Sequence, residues 1–346
     1  MSKKVFSLIL AVLMAGVALF TGCSEGNRHE ATITGYFDTV ITIVAYMDKK
    51  SDFDKEVQRI AQELAIYDGL SDAYASYKGG NNIKTINDKA GKGKPVNVNL
   101  FIIDMLLTAK KAYATSGGAI NVAMGAVTDI WRTHINNGMA DAGYAVIPSL
   151  DELREAGRHT NIDDVIIDSE NRTVYLQDEK MRLDVGAFAK GYAATLVLHN
   201  AKQRGVTSML LNMGGAVSTI GTKPNGQPFT VGVQNPRNEE EYSLKLGLND
   251  MSVSTSGDYQ RYYVVNGIRF HHIIDTGNLM PTLYAASVSV VCEDAITADY
   301  LSTTLMAMPL EEGLKLVNSY KDVEALWIFG DGTQKCTSGF EAYITK

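Results

Sequence analysis

RYYVVNGIRFHHIID, residues 261–275, is the stretch that decides the fold. Runs of β-branched and aromatic residues flank Asn266-Gly267, the dipeptide of a type I′ turn, so the pattern predicts a β-hairpin. Segments of the same character surround it: SMLLNM (208–213), FTVGVQN (229–235), SLKLGL (243–248), MSVSTS (251–256) and SVSVVCED (287–294). The first half reads differently. ATITGYFDTVITIVAYM (31–47) predicts two strands broken at Gly35–Asp38, and helices follow from Ser51 and from Asn99 to Gly117. Ser149 with Glu152 suggests a capping box. Residues 164–177 predict a hairpin, 181–185 a strand, and a helix begins near Ala189 and runs to Gly205. A helix over about 295–318 and a last strand, EALWIFG (324–330), close the chain. Strands cluster apart from helices, which predicts an α+β class. With no repeat and no Pro/Gly/Ser-rich seam, residues 32–346 read as one domain.

The 346 residues are 45% apolar and 21% charged, a globular composition. A net charge of −7 argues against nucleic acid as the main partner, since phosphate binding wants a basic face. Lys3 and Lys4 precede the apolar run VFSLILAVLMAGVALF, and TGC follows at 21–23. This is a secretory signal over 1–22 ending in a lipoprotein box, which implies cleavage before Cys23 and lipidation of its thiol. Residues 23–31 would then tether the domain to the outer face of a bacterial cell membrane. Removing 1–22 takes away two lysines and no acids, and lowers the charge to −9. Cys292 and Cys336 read as free buried thiols.

Four constellations could carry chemistry. In LDVGAFAKGYAATLV (183–197) a strand delivers Asp184 to a Gly-Ala turn, and Lys190 falls in the first turn of the next helix. A helix N-terminus plus a lysine suits a phosphate, although a plain surface lysine reads as well. In AITADYLSTTLMAM (295–308), Asp299, Ser302 and Thr303 share one helix face. One carboxylate and two hydroxyls are hard oxygen ligands that suit Mg²⁺; on spacing alone, hydroxyls bonded to their own turn are the commoner case. The small residues of ATSGGAINVAMGAVTDIW (114–131) and LLNMGGAVSTIG (210–221) allow close backbone approach to a ligand. Lastly, only one of His271 and His272 can face a site from a strand. A His near a carboxylate, here Asp275, makes a general base, although one His in water and one packed with its nitrogens satisfied is the commoner case.

In this order the segments resemble the FAD:protein FMN transferases, the ApbE-type flavin transferases. The resemblance is carried by YFDTVITI, SYKGGNNIKTIN, TSGGAINVAMGAVTDIW, LDVGAFAKGY, LLNMGGAVSTIG, VSTSGDYQRYY, HIID…P and ADYLSTTL, along almost the whole mature chain. It implies a single-domain tunnelling-type fold. The implied reaction splits FAD, releases AMP and joins FMN by a phosphoester to a Thr or Ser of an acceptor protein, in a segment like Asp-x-x-Ser/Thr-Gly-Ala-Thr. The acceptor would be a flavoprotein subunit of a membrane or extracytoplasmic redox system. The resemblance further implies that Asp184 and Lys190 bind FAD. The carbonyl of Ala187 with Asp299, Ser302 and Thr303 would hold Mg²⁺. Phe37, Tyr77, Ala119, Ile120, Asn121 and Ile274 would contact the cofactor. His272, with Asp275 nearby, would activate the acceptor hydroxyl. The chain departs from the family pattern at Phe37 (usually Met), Asn121 (often Asp), Thr276 (usually Pro) and Ser302 (a carboxylate in some members). Three rivals stand beside this reading: an FAD pyrophosphatase that uses water as the nucleophile, a lipoprotein that binds FAD without chemistry, and a purely structural cell-surface lipoprotein, which would leave the Lys190 and Asp299 motifs unexplained.

Overall fold

The computed structural model describes residues 27–345. The expected signal peptide (1–22), Cys23 and the start of the tether lie outside the described residues. Eight strands form the main sheet: β1 (Arg28–Tyr36), β2 (Thr39–Tyr46), β3 (Met209–Met213), β4 (Ala216–Ile220), β5 (Ser252–Gly257), β6 (Ser287–Cys292), β7 (Glu324–Ile328) and β8 (Gln334–Cys336). Their spatial order is their chain order, and every neighbouring pair is antiparallel. β1 begins at Arg28, inside the stretch expected to be tether.

The helices are α1 (Lys50–Ser71), α2 (Ile83–Asp88), α3 (Leu100–Thr115), α4 (Gly125–Ala140), α5 (Leu150–Gly157), α6 (Gly186–Gln203), α7 (Ala295–Met306) and α8 (Leu310–Val317). They are inserted between consecutive strands of the meander. β2 alternates buried and half-buried residues, so Ile41, Ile43 and Ala45 face one way. They pack with Phe53, Ile60 and Leu64 of α1 and with Ala194 and Val197 of α6. β6 is buried throughout, because the sheet is covered on both faces there. Val288 and Val290 meet the core that includes Leu301 and Leu305 of α7. Val291 meets a second layer, a small sheet of Phe229–Asn235, Asn238–Leu248 and Ile344–Thr345.

The 261–275 hairpin forms as Tyr262–Val265 paired with Ile268–His271, with Asn266 and Gly267 at φ 50° and 80°. Three expectations need correction. Residues 181–185 are not a strand. Leu183 is held at its N–H and its C=O by the side-chain amide of Asn87, and only Arg182 bridges a neighbour, Met124. The following helix starts at Gly186, so Lys190 lies in its second turn, and the first-turn phosphate geometry does not apply. The helix expected over 295–318 is two, because Pro309 lacks the N–H a continuous helix needs. Cys292 and Cys336 are both free, the first buried and the second half-buried.

Candidate active site

The centre of the site is the crossing of α6 and α7. Asp299 is 3% exposed, and a carboxylate this deep needs donors and a counter-charge. Its Oδ2 accepts the backbone N–H of Gly191 at 2.8 Å, and its Oδ1 accepts the Ser254 hydroxyl at 3.1 Å. Lys190 Nζ stands 3.5 Å from Oδ1. The bond from Gly191 is open because residue 191 has no side chain. A Cβ there would lie 2.6 Å from the carbonyl oxygen of Ala295 and 2.9 Å from Cα of Ile296. Gly191 lies within α6, four residues after Ala187.

The hydroxyls divide into two groups. Ser302 Oγ is fully buried, donates to the carbonyl of Asp299 at 2.9 Å and lies 2.9 Å from Ser256 Oγ. It is therefore engaged between α7 and β5 rather than offered to a ligand. Thr303 Oγ1 lies 3.0 Å from Ser256 Oγ and is only half-buried. Ser254 and Ser256 were not anticipated. They sit two apart in β5, which puts both on the face turned toward α7. That period in VSTSG, set against the Asp299 helix, was the available signal.

Asp184 is less free than expected. Its carboxylate accepts the Gly186 N–H and the Thr128 hydroxyl, each at 2.9 Å, and its own N–H donates to Val122. It locks the entrance of α6 against the 119–125 segment, and so fixes where Ala187 and Lys190 stand.

The two histidines have opposite surroundings. His271 is buried. Its Nδ1 accepts the N–H of Ile273 at 3.2 Å, so the proton is on Nε2, which donates to the carbonyl of Thr282 at 2.7 Å. Burial lowers its pKa. His272 points the other way and is exposed. Loss of hydration against the surrounding wall, then repulsion from His271, Arg261 and Lys190, lowers its pKa as well. Because the side chain keeps an open surface, the shift is smaller than full burial would impose. Both rings are neutral at pH 7.

Asp275 does not orient His272. Its Oδ1 accepts the backbone N–H groups of Gly277 and Asn278, and its Oδ2 accepts from Asn278 Nδ2 and the hydroxyl of Tyr284. The catalytic role expected for it becomes one of holding the loop that follows. Thr276, where the family usually has Pro, donates to the carbonyl of Gly118 at 2.9 Å and ties this loop to the segment holding Ala119, Ile120 and Asn121. Asn121 is itself occupied, donating to Thr160 and accepting from Ala123. Ile274 is buried against Met124, Trp131 and Phe270, so it is a core residue and not an open contact. Tyr77 lies flat over Gly69 and Gly79, whose missing side chains make room for its ring. Phe37 occupies the β1–β2 turn at φ 52°, with its N–H on Asp68, while the neighbouring Asp38 reaches Arg261 at 3.6 Å. That ion pair brings the turn to the His272 side of the site.

A buried carboxylate, a lysine and hydroxyl oxygens, faced by an exposed neutral imidazole, are the equipment of a phosphoryl-group transferase. The model described as the ApbE family matches residues 37–327, and the chain belongs to that family. It is 32% identical over 248 residues to the FAD:protein FMN transferase of Klebsiella pneumoniae (strain 342), covering 71% of this chain and 74% of that one. It is 29% identical over 272 residues to the FAD:protein FMN transferase of Treponema pallidum (strain Nichols), covering 74% and 73%. The crystal structure of the ApbE protein of Thermotoga maritima superposes with a TM-score of 0.81 at 25% identity, covering 92% of this chain and all of that one. The flavin transferase ApbE of Vibrio cholerae shares the fold, with a TM-score of 0.76 at 20% identity over 91% and 99% of the two chains.

Proposed function

We propose that the protein transfers FMN from FAD to a Thr or Ser hydroxyl of an acceptor protein. The observation that carries this reading is the α6–α7 crossing, where Lys190 meets the buried Asp299 and its charge acts on His272, in a chain of the ApbE family whose relatives are named FAD:protein FMN transferase. The acceptor oxygen attacks the phosphorus of the FMN half. The bond from that phosphorus to the bridging oxygen breaks, and AMP leaves with it. The hydroxyl proton passes to His272, whose ring is unprotonated at neutral pH. Lys190 offers positive charge to the diphosphate.

The donor set fits a hard divalent ion. Asp299, Thr303 and the carbonyl of Ala187 would hold Mg²⁺, while Ser302 lies behind them as support. Bound there, Mg²⁺ would supply charge neutralisation on the diphosphate. Among the described residues no group of three or more His, Cys, Asp or Glu is placed to hold a metal. The ion would therefore lean on these oxygens, on water and on the substrate. Anchoring to the outer face of the membrane through lipidated Cys23 rests on the sequence of residues 1–23, and suits an acceptor in an extracytoplasmic redox system.

The test uses residues 24–346 with FAD, Mg²⁺ and an acceptor domain bearing Asp-x-x-Ser/Thr-Gly-Ala-Thr. A fluorescent acceptor band in a denaturing gel, with AMP released alongside, is the expected result. AMP without a band would make the protein an FAD pyrophosphatase. FAD bound and recovered intact would make it a carrier.

A further inference from the structure

The segment VSTSGDYQRYY (253–263) places Ser254 and Ser256 at the site and then presents a cation, Arg261, that neither the metal donors nor the base accounts for. Tyr262 pairs with His271 as the last rung of the hairpin ladder, so Arg261 and His272 leave the ladder together, one from each strand. The main chain of Arg261 is in hydrogen-bond contact with the imidazole of His272. Its guanidinium stands 3.6 Å from Asp38 in the β1–β2 turn. After loss of hydration and His271, Arg261 and then Lys190 are the groups that hold the pKa of His272 down. Two cations therefore lie close enough to the base for their charge to act on it.

The two are not equally free. Lys190 Nζ stands 3.5 Å from Oδ1 of Asp299, a buried carboxylate that needs the counter-charge. Arg261 is held loosely. The side chains of Arg261 and Asp38 are 51% and 80% exposed, and an ion pair so open to water holds weakly. A guanidinium also suits a phosphoryl group better than an ammonium does, because its planar fork meets two oxygens at once. The base fixes where that group must be. His272 takes its proton from the oxygen that attacks phosphorus, so the phosphoryl group lies one bond beyond that oxygen. A long side chain rooted beside the base reaches that place.

We infer that Arg261 is a catalytic residue of the transfer, leaving Asp38 to grip the phosphoryl oxygens of the FMN half as the acceptor attacks. The inference rests on the proposed transfer, which supplies the group that Arg261 grips. The acceptor oxygen bonds to that phosphorus, and the bond from phosphorus to the bridging oxygen breaks. AMP keeps the bridging oxygen, the acceptor proton goes to His272, and Arg261 stays protonated throughout. A cation aimed at the reacting phosphorus acts more on the transition state than on bound FAD, so its loss shows in kcat.

The experiment compares the wild type with Arg261→Gln, Arg261→Lys and Asp38→Asn, using FAD, Mg²⁺ and the acceptor domain above. In Arg261→Gln, kcat is expected to fall on the order of 100-fold, while the Kd for FAD, read by flavin fluorescence, changes far less. Arg261→Lys recovers part of the rate, because the charge returns without the fork. Asp38→Asn keeps kcat at or above the wild-type value, because Asp38 only competes for the guanidinium. The thermal midpoint of each variant stays at the wild-type value, since an exposed ion pair contributes little to stability. Three results overturn the inference alone, beside a wild type that transfers: an unchanged kcat in Arg261→Gln, a loss confined to FAD affinity, or an Asp38→Asn variant as slow as Arg261→Gln. The last would make the ion pair a structural tie. A wild type that modifies no acceptor overturns the transfer reading, and this inference with it.

Discussion

Gly191→Ala tests whether the close approach of α6 and α7 sets the site. A methyl at 191 would stand 2.6 Å from the Ala295 carbonyl oxygen and 2.9 Å from Cα of Ile296, where carbon contacts settle near ~3.5–4 Å. Both neighbours are backbone, so the helices must part by roughly 1 Å. Overpacking of this kind costs about 1–3 kcal/mol, and Ala in place of Gly in a helix returns up to about 1 kcal/mol. The net loss of stability is on the order of 1 kcal/mol, a shift of about 2 °C in a domain of this size. The effect on chemistry is larger. α7 carries Asp299 and Thr303, and a misplacement of about 1 Å can cost on the order of 100-fold in rate. The added methyl also crowds the bond from the residue 191 N–H to Asp299. Thermal unfolding followed by circular dichroism, with acceptor flavinylation on the same sample, gives both quantities. A small drop in Tm with a large drop in kcat is expected. Wild-type kcat and Mg²⁺ dependence in a folded Gly191→Ala variant would refute the reasoning.

Further outcomes follow from the same geometry. His272→Ala abolishes transfer while the Kd for FAD, read by flavin fluorescence, stays near the wild-type value; a variant that transfers at the wild-type rate removes His272 as the base. Because the pKa of His272 is lowered, its base form persists below the ordinary histidine value of about 6.5, and the acid limb of the kcat profile lies beneath that pH. Buried His271 also has a folded pKa below its unfolded one, so the unfolded chain takes up the proton first. Stability is therefore full above about pH 6.5 and falls as pH drops toward the folded pKa, which denaturant midpoints across pH 7 to 5 would show. Asp299→Asn raises the Mg²⁺ concentration for half-maximal activity about tenfold or more, and an unchanged titration would exclude it as a ligand. Asp275→Ala loosens the 275–284 loop and raises acceptor KM, but retains far more kcat than His272→Ala; equal losses would restore a catalytic role for Asp275.

Much of this was legible in the sequence because it rested on local chemistry. Asn266-Gly267 specified its hairpin through positive φ, and strand alternation separated His271 from His272. The helical spacing of Asp299 and Thr303 placed both where α7 presents them. What was hidden depended on partners distant in sequence. Nothing local shows that Asn87 takes the place of a strand partner for Leu183, or that the Gly191 N–H donates to Asp299. Asp275 looked like a partner for histidine because it is three residues away, yet an Asx turn and Tyr284 use all its capacity. Ser302 looked like a ligand by its spacing, but β5 lies on that side of the helix.

The central claim is that the acceptor hydroxyl displaces AMP from FAD at the His272 face. Intact mass of the acceptor domain after incubation with FAD and Mg²⁺ tests it most directly. One added FMN less one water is expected with the wild type, and an unmodified acceptor with His272→Ala. An acceptor that keeps its mass with the wild type while FAD is consumed, or that gains FMN equally with His272→Ala, would contradict it.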